Sequence, residues 1–271
     1  MSTNAQPILV FDAETTGTDV ETARAIQVAC LTTREGRVEE SWGSRINPEM
    51  PIPAEASAIH GIRDADVAGA PTFSQVLPEL RARVEPVRIL VGYNARTFDV
   101  PLTARLFRDH GAEFPPVRVL DVIDFVRWHF RHFRVRKLKE MCEQLGLPPF
   151  EAHDALADVQ ATRLLLRELV RRGLVPMDPF AACDESDRLF PILQEEGRRF
   201  SYYLYVRKGV LRVGFGKHCG RSVAEVPASY WDWVLGEVRV KKWEVPPEAL
   251  AIFETLRAGN RPQFVPPAGC E

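Results

Sequence analysis

Two periods of apolar residues run through the chain. Pro7-Ile8-Leu9-Val10-Phe11 is a short unbroken apolar run ending in Asp12, the pattern of a strand covered on both faces with a carboxylate at its end. Strand-like runs over 25–33 and 37–46 follow, separated by Arg34-Glu35-Gly36, whose glycine suits a tight reversal, so these three segments predict an antiparallel meander. Strand and helix then alternate. The pattern predicts a helix over 72–84, a buried strand over 88–92, a helix over 99–110 stopped by Gly111, and a strand over 117–120. Helices are expected over 121–130, 137–145 and 154–172, the last carrying Leu156, Val159, Leu164 and Val170 at helical spacing and ending at Gly173.

Periodicity fades beyond that glycine. Pro176, Pro179 and the acidic group Asp184, Glu185 and Asp187 lead to the expectation of a linker over 177–197, between a domain over 1–176 and a smaller module over 198–271. In the module, 200–206 and 210–214 flank Lys208-Gly209 like a hairpin, and 227–235 and 247–257 read as helices. The fold class is therefore α/β: a mixed sheet flanked by helices, plus a small α+β module at the C-terminus.

With 271 residues there is room for both units. Hydrophobic residues at 45% and charged residues at 27% describe a globular chain rather than a disordered or fibrous one. The formal net charge of -2 leaves a nucleic-acid partner open, because binding needs a local basic surface and not a basic average. Cys30, Cys142, Cys183, Cys219 and Cys270 are odd in number and scattered, which fits free thiols in a reducing compartment. With no apolar run long enough to span a membrane and no signal-type N-terminus, the expectation is a cytoplasmic protein with no membrane partner.

Candidate chemistry lies in three segments. Asp12 and Glu14 stand two apart at a strand end, where alternate side chains share a face and both could grip one cation. Asp99 opens a helix directly after a buried strand, a position that also suits helix capping. His153 and Asp158 are five apart, which on a continuous helix separates them by about 140°. They can serve one site only if His153 precedes the helix, Asp154 caps it, and Asp158 lies one turn inside.

Four carboxylates and a histidine in the order D-x-E, D, H-x4-D resemble the catalytic set of the DnaQ-like (DEDDh) 3′→5′ exonucleases. The resemblance covers about residues 6–173 and rests on Phe11-Asp12-Ala13-Glu14-Thr15-Thr16-Gly17, Gly92-Tyr93-Asn94 through Asp99, His153 through Asp158, and Ile59-His60-Gly61-Ile62. It implies a ribonuclease H-like fold and metal-dependent hydrolysis from a 3′ end that releases nucleoside monophosphates. It also implies two divalent cations, Mg2+ or Mn2+, with Asp12 shared between them, Glu14 and Asp158 completing one site and Asp99 supporting the other. His153 would be the general base, and an imidazole with an unperturbed pKa near 6.5 suits that role. Thr15, Thr16, Phe98 and His60 would lie near the 3′-terminal nucleotide. The partner would be a nucleic acid with a free 3′ end, single-stranded DNA favoured over RNA. RNA trimming is the alternative reading, and a non-catalytic nucleic-acid-binding adaptor a remoter one.

Two further segments carry cations. The stretch from Arg127 to Lys139 interleaves rings with six Lys or Arg, which suits a single strand as well as it suits an amphipathic helix end. Phe215-Gly216-Lys217-His218-Cys219-Gly220-Arg221 resembles the F-G-K-x-x-G module of the quorum-sensing-regulated virulence factor family, over about twenty-five residues. Lys217 and Arg221 are its candidate nucleic-acid contacts, and a protein partner is the other use of such a module.

Overall fold

The computed structural model describes residues 6–130, 133, 135–195, 200–207, 209–241, 243, 245–260 and 262. Its main sheet has five strands: β1 (Ile8–Thr15), β2 (Ala25–Arg34), β3 (Arg37–Arg45), β4 (Ile89–Gly92) and β5 (Arg118–Asp121). They lie in the order β3-β2-β1-β4-β5, with β1, β2 and β3 antiparallel and β4 and β5 parallel to β1. The helices are α1 (Ala54–His60), α2 (Asp64–Val67), α3 (Phe73–Val84), α4 (Asp99–Asp109), α5 (Val122–His129), α6 (Leu138–Gln144), α7 (Ala155–Arg171) and α8 (Pro179–Glu195). After them come α9 (Phe200–Tyr203), the hairpin β6 (Leu204–Arg207) and β7 (Val210–Val213), α10 (Ala228–Lys241) and α11 (Pro247–Arg257).

The alternation of β1 assigns its faces. Leu9, Phe11 and Ala13 enter one core with Leu80 and Val84 of α3 and Leu102, Leu106 and Phe107 of α4. Val10, Asp12 and Glu14 must then point to the opposite face, against which α7 packs. Since β1 is central, those two carboxylates are carried on a strand buried along nearly its whole length.

Two compact units divide the chain. The first holds residues up to Asp124 together with Lys137–Arg188, and the second holds Phe125–Arg136 and everything from Leu189 onwards. The aperiodic linker expected over 177–197 is corrected: most of it is α8, helical across Pro179–Glu195. The acidic group that looked like solvated linker is paired. Asp184 and Asp187 contact Arg118 at 2.8 and 2.6 Å, and Asp187 contacts Arg96 at 2.8 Å. Between them Ser186 is fully buried and donates to Asp124 at 2.8 Å. Opposite charges on distant segments hide such a helix from a pattern that looks only for apolar spacing.

The second unit has an aromatic core, with Trp231 stacked on Phe253 at 5.3 Å and the edge of Tyr203 against Phe215. The strand expected from residue 200 begins only at Leu204, because Phe200–Tyr203 forms a helical turn. The glycine of the F-G-K segment has a packing reason: at φ 62 its Cα faces the Tyr230 hydroxyl so closely that an added Cβ would lie 2.5 Å from it. Of the Arg127 to Lys139 stretch, residues 131, 132 and 134 lie outside the described residues, while Phe130 and Phe133 are buried against each other at 5.6 Å.

Candidate active site

Four acidic side chains meet at the C-terminal end of β1. Asp12 and Glu14 arrive from the strand itself. Asp99 is delivered by the turn after β4, which a close approach at Gly92 keeps tight: a Cβ there would meet the Ala95 Cβ at 2.3 Å. Phe98, half-buried, caps α4, and Asp99 is the first helical residue, so the capping role considered for it falls to its neighbour. The Asp99 carboxylate instead accepts the backbone N–H of Ala13 at 3.2 Å, tying α4 to β1.

The start of α7 supplies the rest. Asp154 caps the helix, accepting the N–H groups of Leu156 and Ala157 at 3.1 Å each, as its place before the apolar run suggested. Gln27 of β2 reaches across, its amide donating to Asp154 at 3.1 Å. His153 sits just before the cap with φ 69, and its backbone N–H donates to Asp158 at 2.9 Å. That left-handed kink turns an exposed imidazole toward the buried carboxylate one turn inside the helix. Ligand atoms of Glu14, His153 and Asp158 all lie within 4.8 Å of one another.

The charges in this cluster oppose each other. Burial, then the charges of Asp99, Asp158 and Glu14, hold the Asp12 carboxyl well above the usual carboxylate range. Glu14 is pushed up to about 7 by burial and then by Asp158 and Asp99. Asp99 is raised to about 7 by burial and by Asp121, although the Ala13 N–H works the other way. Asp158 reaches about 6, with burial the chief cause and the His153 N–H opposing it. Among the described residues none of these four carboxylates has an ion-pair partner. Crowded oxygen donors of this kind, with an imidazole at their edge, fit a divalent cation that would offset the repulsion.

The remaining expected residues surround this point. Thr15 and Thr16 are buried, the Thr15 hydroxyl donating to the Gly17 carbonyl at 2.7 Å and the Thr16 hydroxyl accepting the Arg24 N–H at 2.9 Å. Both therefore hold the loop leaving β1, and Thr16 keeps its own proton to donate. His60 ends α1, where Gly61 at φ 74 closes the helix and the His60 ring accepts the Ile62 N–H at 3.0 Å. Its imidazole pKa is lowered by burial first, while the adjoining Thr15 backbone opposes that and Arg45 and His153 add to it, so His60 borders the same site. Lys217 and Arg221 belong to the second unit. Both are exposed, Lys217 lying 5.6 Å over the Tyr230 ring and Arg221 3.3 Å from the His218 ring.

Three residues escaped the sequence reading. Asp121 ends β5 and accepts the N–H groups of Asn94, Arg96 and Ile123, fixing the turn that leads to Asp99. Its signal was present, since it closes a buried apolar run as Asp12 does. Gln27 is a buried polar residue flanked by apolar ones inside β2, and Arg45 ends an edge strand with nothing in its pattern to mark it.

Comparisons with known proteins agree with this geometry. The chain is 29% identical over 170 residues to the 3′-5′ exonuclease DinG of Bacillus subtilis, and 28% identical over 163 residues to the PolC-type DNA polymerase III of Bacillus cereus. Those stretches cover 62% and 60% of this chain but only 18% and 11% of the two relatives, so the chain spans less than a fifth of either. In fold it is similar to Escherichia coli exonuclease I in complex with a dA16 oligonucleotide: the TM-score is 0.56 at 20% identity, covering 70% of this chain and 43% of that one. The profile of the exonuclease family RNase_T matches residues 9–166, from β1 through most of α7 and so across every element that carries the acidic cluster; the chain belongs to this family.

Proposed function

We propose that the protein is a metal-dependent 3′→5′ exonuclease that removes nucleoside monophosphates from single-stranded DNA. One observation carries this reading: the buried Glu14, Asp99 and Asp158 and the partly buried Asp12, none with an ion-pair partner among the described residues, meet with a histidine beside them at the end of the central strand. Asp12, Glu14, Asp99 and Asp158 would hold two divalent cations, Mg2+ or Mn2+, with Asp12 shared. Bound there, such cations offset the phosphate's negative charge and favour attack by water. His153 accepts the proton of the attacking water on an imidazole nitrogen, which its place at the exposed lip of the cluster allows. The Thr16 hydroxyl, the Phe98 ring and His60 border the space for the 3′-terminal nucleotide, with Thr15 holding the loop beneath it.

DNA is favoured by the name of the PolC-type DNA polymerase III relatives. RNA trimming is the second reading, because carboxylates that act on a phosphate are indifferent to a 2′-hydroxyl. The second unit would serve as an accessory module gripping longer strands through Lys217 and Arg221, or docking a protein. Its resemblance to the F-G-K-x-x-G module stands on the segment around Gly216 alone. A cytoplasmic location accords with Cys30, Cys142, Cys183 and Cys219 being free thiols, and no helix among the described residues is long and apolar enough to cross a membrane. The deciding experiment offers 5′-labelled DNA and RNA oligonucleotides with Mg2+, Mn2+ or EDTA. Stepwise shortening of DNA from the 3′ end, only with metal, is expected; faster loss of RNA would move the reading to the second substrate, and no metal-dependent shortening of either would end it.

A further inference from the structure

The sheet register lines up three polar residues that the acidic cluster alone does not explain. Glu14 on β1 is paired with Gln27 on β2, and Gln27 with Arg45 on β3. Directly paired residues project to the same face, and Gln27 identifies that face by its bonds to Asp154 and to the N–H of Ala155 at the start of α7. Arg45 therefore closes the row that Glu14 opens, two strand spacings away, or about 10 Å across the sheet. It is only partly exposed, its Nη1 is buried without a hydrogen-bond partner, and its side chain forms no ion pair among the described residues. Its charge nevertheless reaches Glu14, Asp154 and His60.

A guanidinium in this state is half of an interaction. Leaving a charged donor buried and unbonded is costly, and neither the carboxylates nor any carbonyl or hydroxyl among the described residues bonds this Nη1. Its charge is felt by the His60 ring as well as by Glu14 and Asp154, yet it pairs with neither carboxylate. The chemistry that satisfies a planar two-pronged cation beside a phosphodiester site is a second phosphate. We infer that Arg45 binds the phosphodiester adjacent to the scissile one and so positions the substrate strand across β3 toward the carboxylates. This rests on the exonuclease reading and adds to it a subsite for the neighbouring linkage.

The test compares Arg45→Ala and Arg45→Lys with the parent protein on two substrates. One is a single-stranded DNA oligonucleotide, and the other the p-nitrophenyl ester of thymidine 5′-monophosphate, which has a single phosphate. Arg45→Ala is expected to lose about 10- to 100-fold in kcat/KM on the oligonucleotide, the size of one charge-assisted hydrogen bond, chiefly through KM. Hydrolysis of the one-phosphate ester should fall far less than that of the oligonucleotide, since there only the reach of the Arg45 charge to Glu14 is lost, and Arg45→Lys should fall between. A neutral methylphosphonate at the linkage next to the scissile one should cost the parent the same factor and cost Arg45→Ala nothing more. Anisotropy of a labelled oligonucleotide in EDTA supplies a readout independent of turnover, where Arg45→Ala should bind about tenfold more weakly. Equal losses on both substrates would place Arg45 at the cluster itself and overturn the inference, as would unchanged binding and turnover of the oligonucleotide. A parent that hydrolyses neither substrate defeats the exonuclease reading instead, while the binding arm still decides for or against the phosphate contact.

Discussion

The first unit contains two buried acidic groupings of opposite character. Around α8, Asp121 and Asp124 are almost wholly buried, yet every charge is answered: Asp121 by three backbone N–H groups, Asp124 by the Ser186 hydroxyl and, at 3.8 Å, by Arg96. At the end of β1, Glu14, Asp99 and Asp158 are buried and Asp12 partly so, but these four mostly face one another. The first grouping is complete within the protein and acts as a fastener. The second is left short of positive charge, which makes sense only if the positive charge arrives from outside. Burial of acid therefore does not distinguish structure from function in this protein; the origin of the counter-charge does.

The sharpest way to break the contrast is at Asp12. Asp12→Asn removes a charge from the strained cluster, so turnover should fall by about 10³-fold or more, since several kcal/mol of charge stabilisation depend on the cations. The metal-free variant should at the same time melt at a higher temperature than the parent at pH 8, because like-charge repulsion is relieved. Loss of both activity and stability would mean that Asp12 belongs with the fasteners. Next in size is His153→Ala, with an expected loss of about 10² to 10⁴ in turnover number and retained metal binding by calorimetry. Parent-like turnover near neutral pH would take the imidazole out of the proton transfer.

The fastener is tested at Arg96. With only 20% of its side chain exposed, Arg96→Ala should lower the free energy of unfolding by about 3 kcal/mol in a urea titration, toward the low end for a broken buried pair. The cations of the acidic cluster should still bind. A smaller effect concerns pH. Folded Glu14, Asp99 and Asp158, with values of about 7, 7 and 6, hold protons that the unfolded chain has released above about pH 4. Their contribution to metal-free stability is thus full below pH 4 and declines as pH rises toward 7. Mg2+, which competes with those protons, should raise the melting temperature more at pH 8 than at pH 5.5, and an equal rise at both would contradict the picture. The smallest change is expected at Lys217 and Arg221. For each phosphate that these two side chains neutralise, replacement by alanine should flatten the salt dependence of long-strand binding by about 0.7 in log-log slope.

Much of this was legible in the sequence where apolar spacing and turn chemistry agree. β2, β3, α3, α4 and α7 lie within a residue or two of their expected ends, because each combines an unambiguous period with a turn, a glycine or a cap at a boundary, whereas β1 runs three residues past Asp12 to Thr15. The acidic residues were legible through motif order, and the place of His153 ahead of α7 followed from the angular argument that no straight helix could serve both His153 and Asp158, whereas its left-handed backbone did not. α8 was not legible. Its interior proline and its acids read as loop, and what holds it are Arg96 and Arg118, some 70 to 90 residues away. Arg45 was illegible for a related reason: its meaning lies in which residues stand beside it across two strand pairings, and a single chain read from end to end does not contain that row.

One detail of the β1–β2 ladder bears on how this chain can change in length over generations. Pairing runs in step from Ile8↔Thr33 to Glu14↔Gln27 and then skips, Thr15 facing Ala25, so that Ile26 is supernumerary. Upstream of that skip, loss or gain of one residue within β1 would exchange its faces, sending Asp12 and Glu14 into the apolar core and Phe11 toward α7. Downstream, the chain already absorbs an odd residue and passes straight into the loop over 16–24. Insertions and deletions should therefore accumulate in relatives after Thr15 and be purged before it, so that the spacing between the start of β1 and Glu14 behaves as a fixed ruler while the loop beyond it drifts.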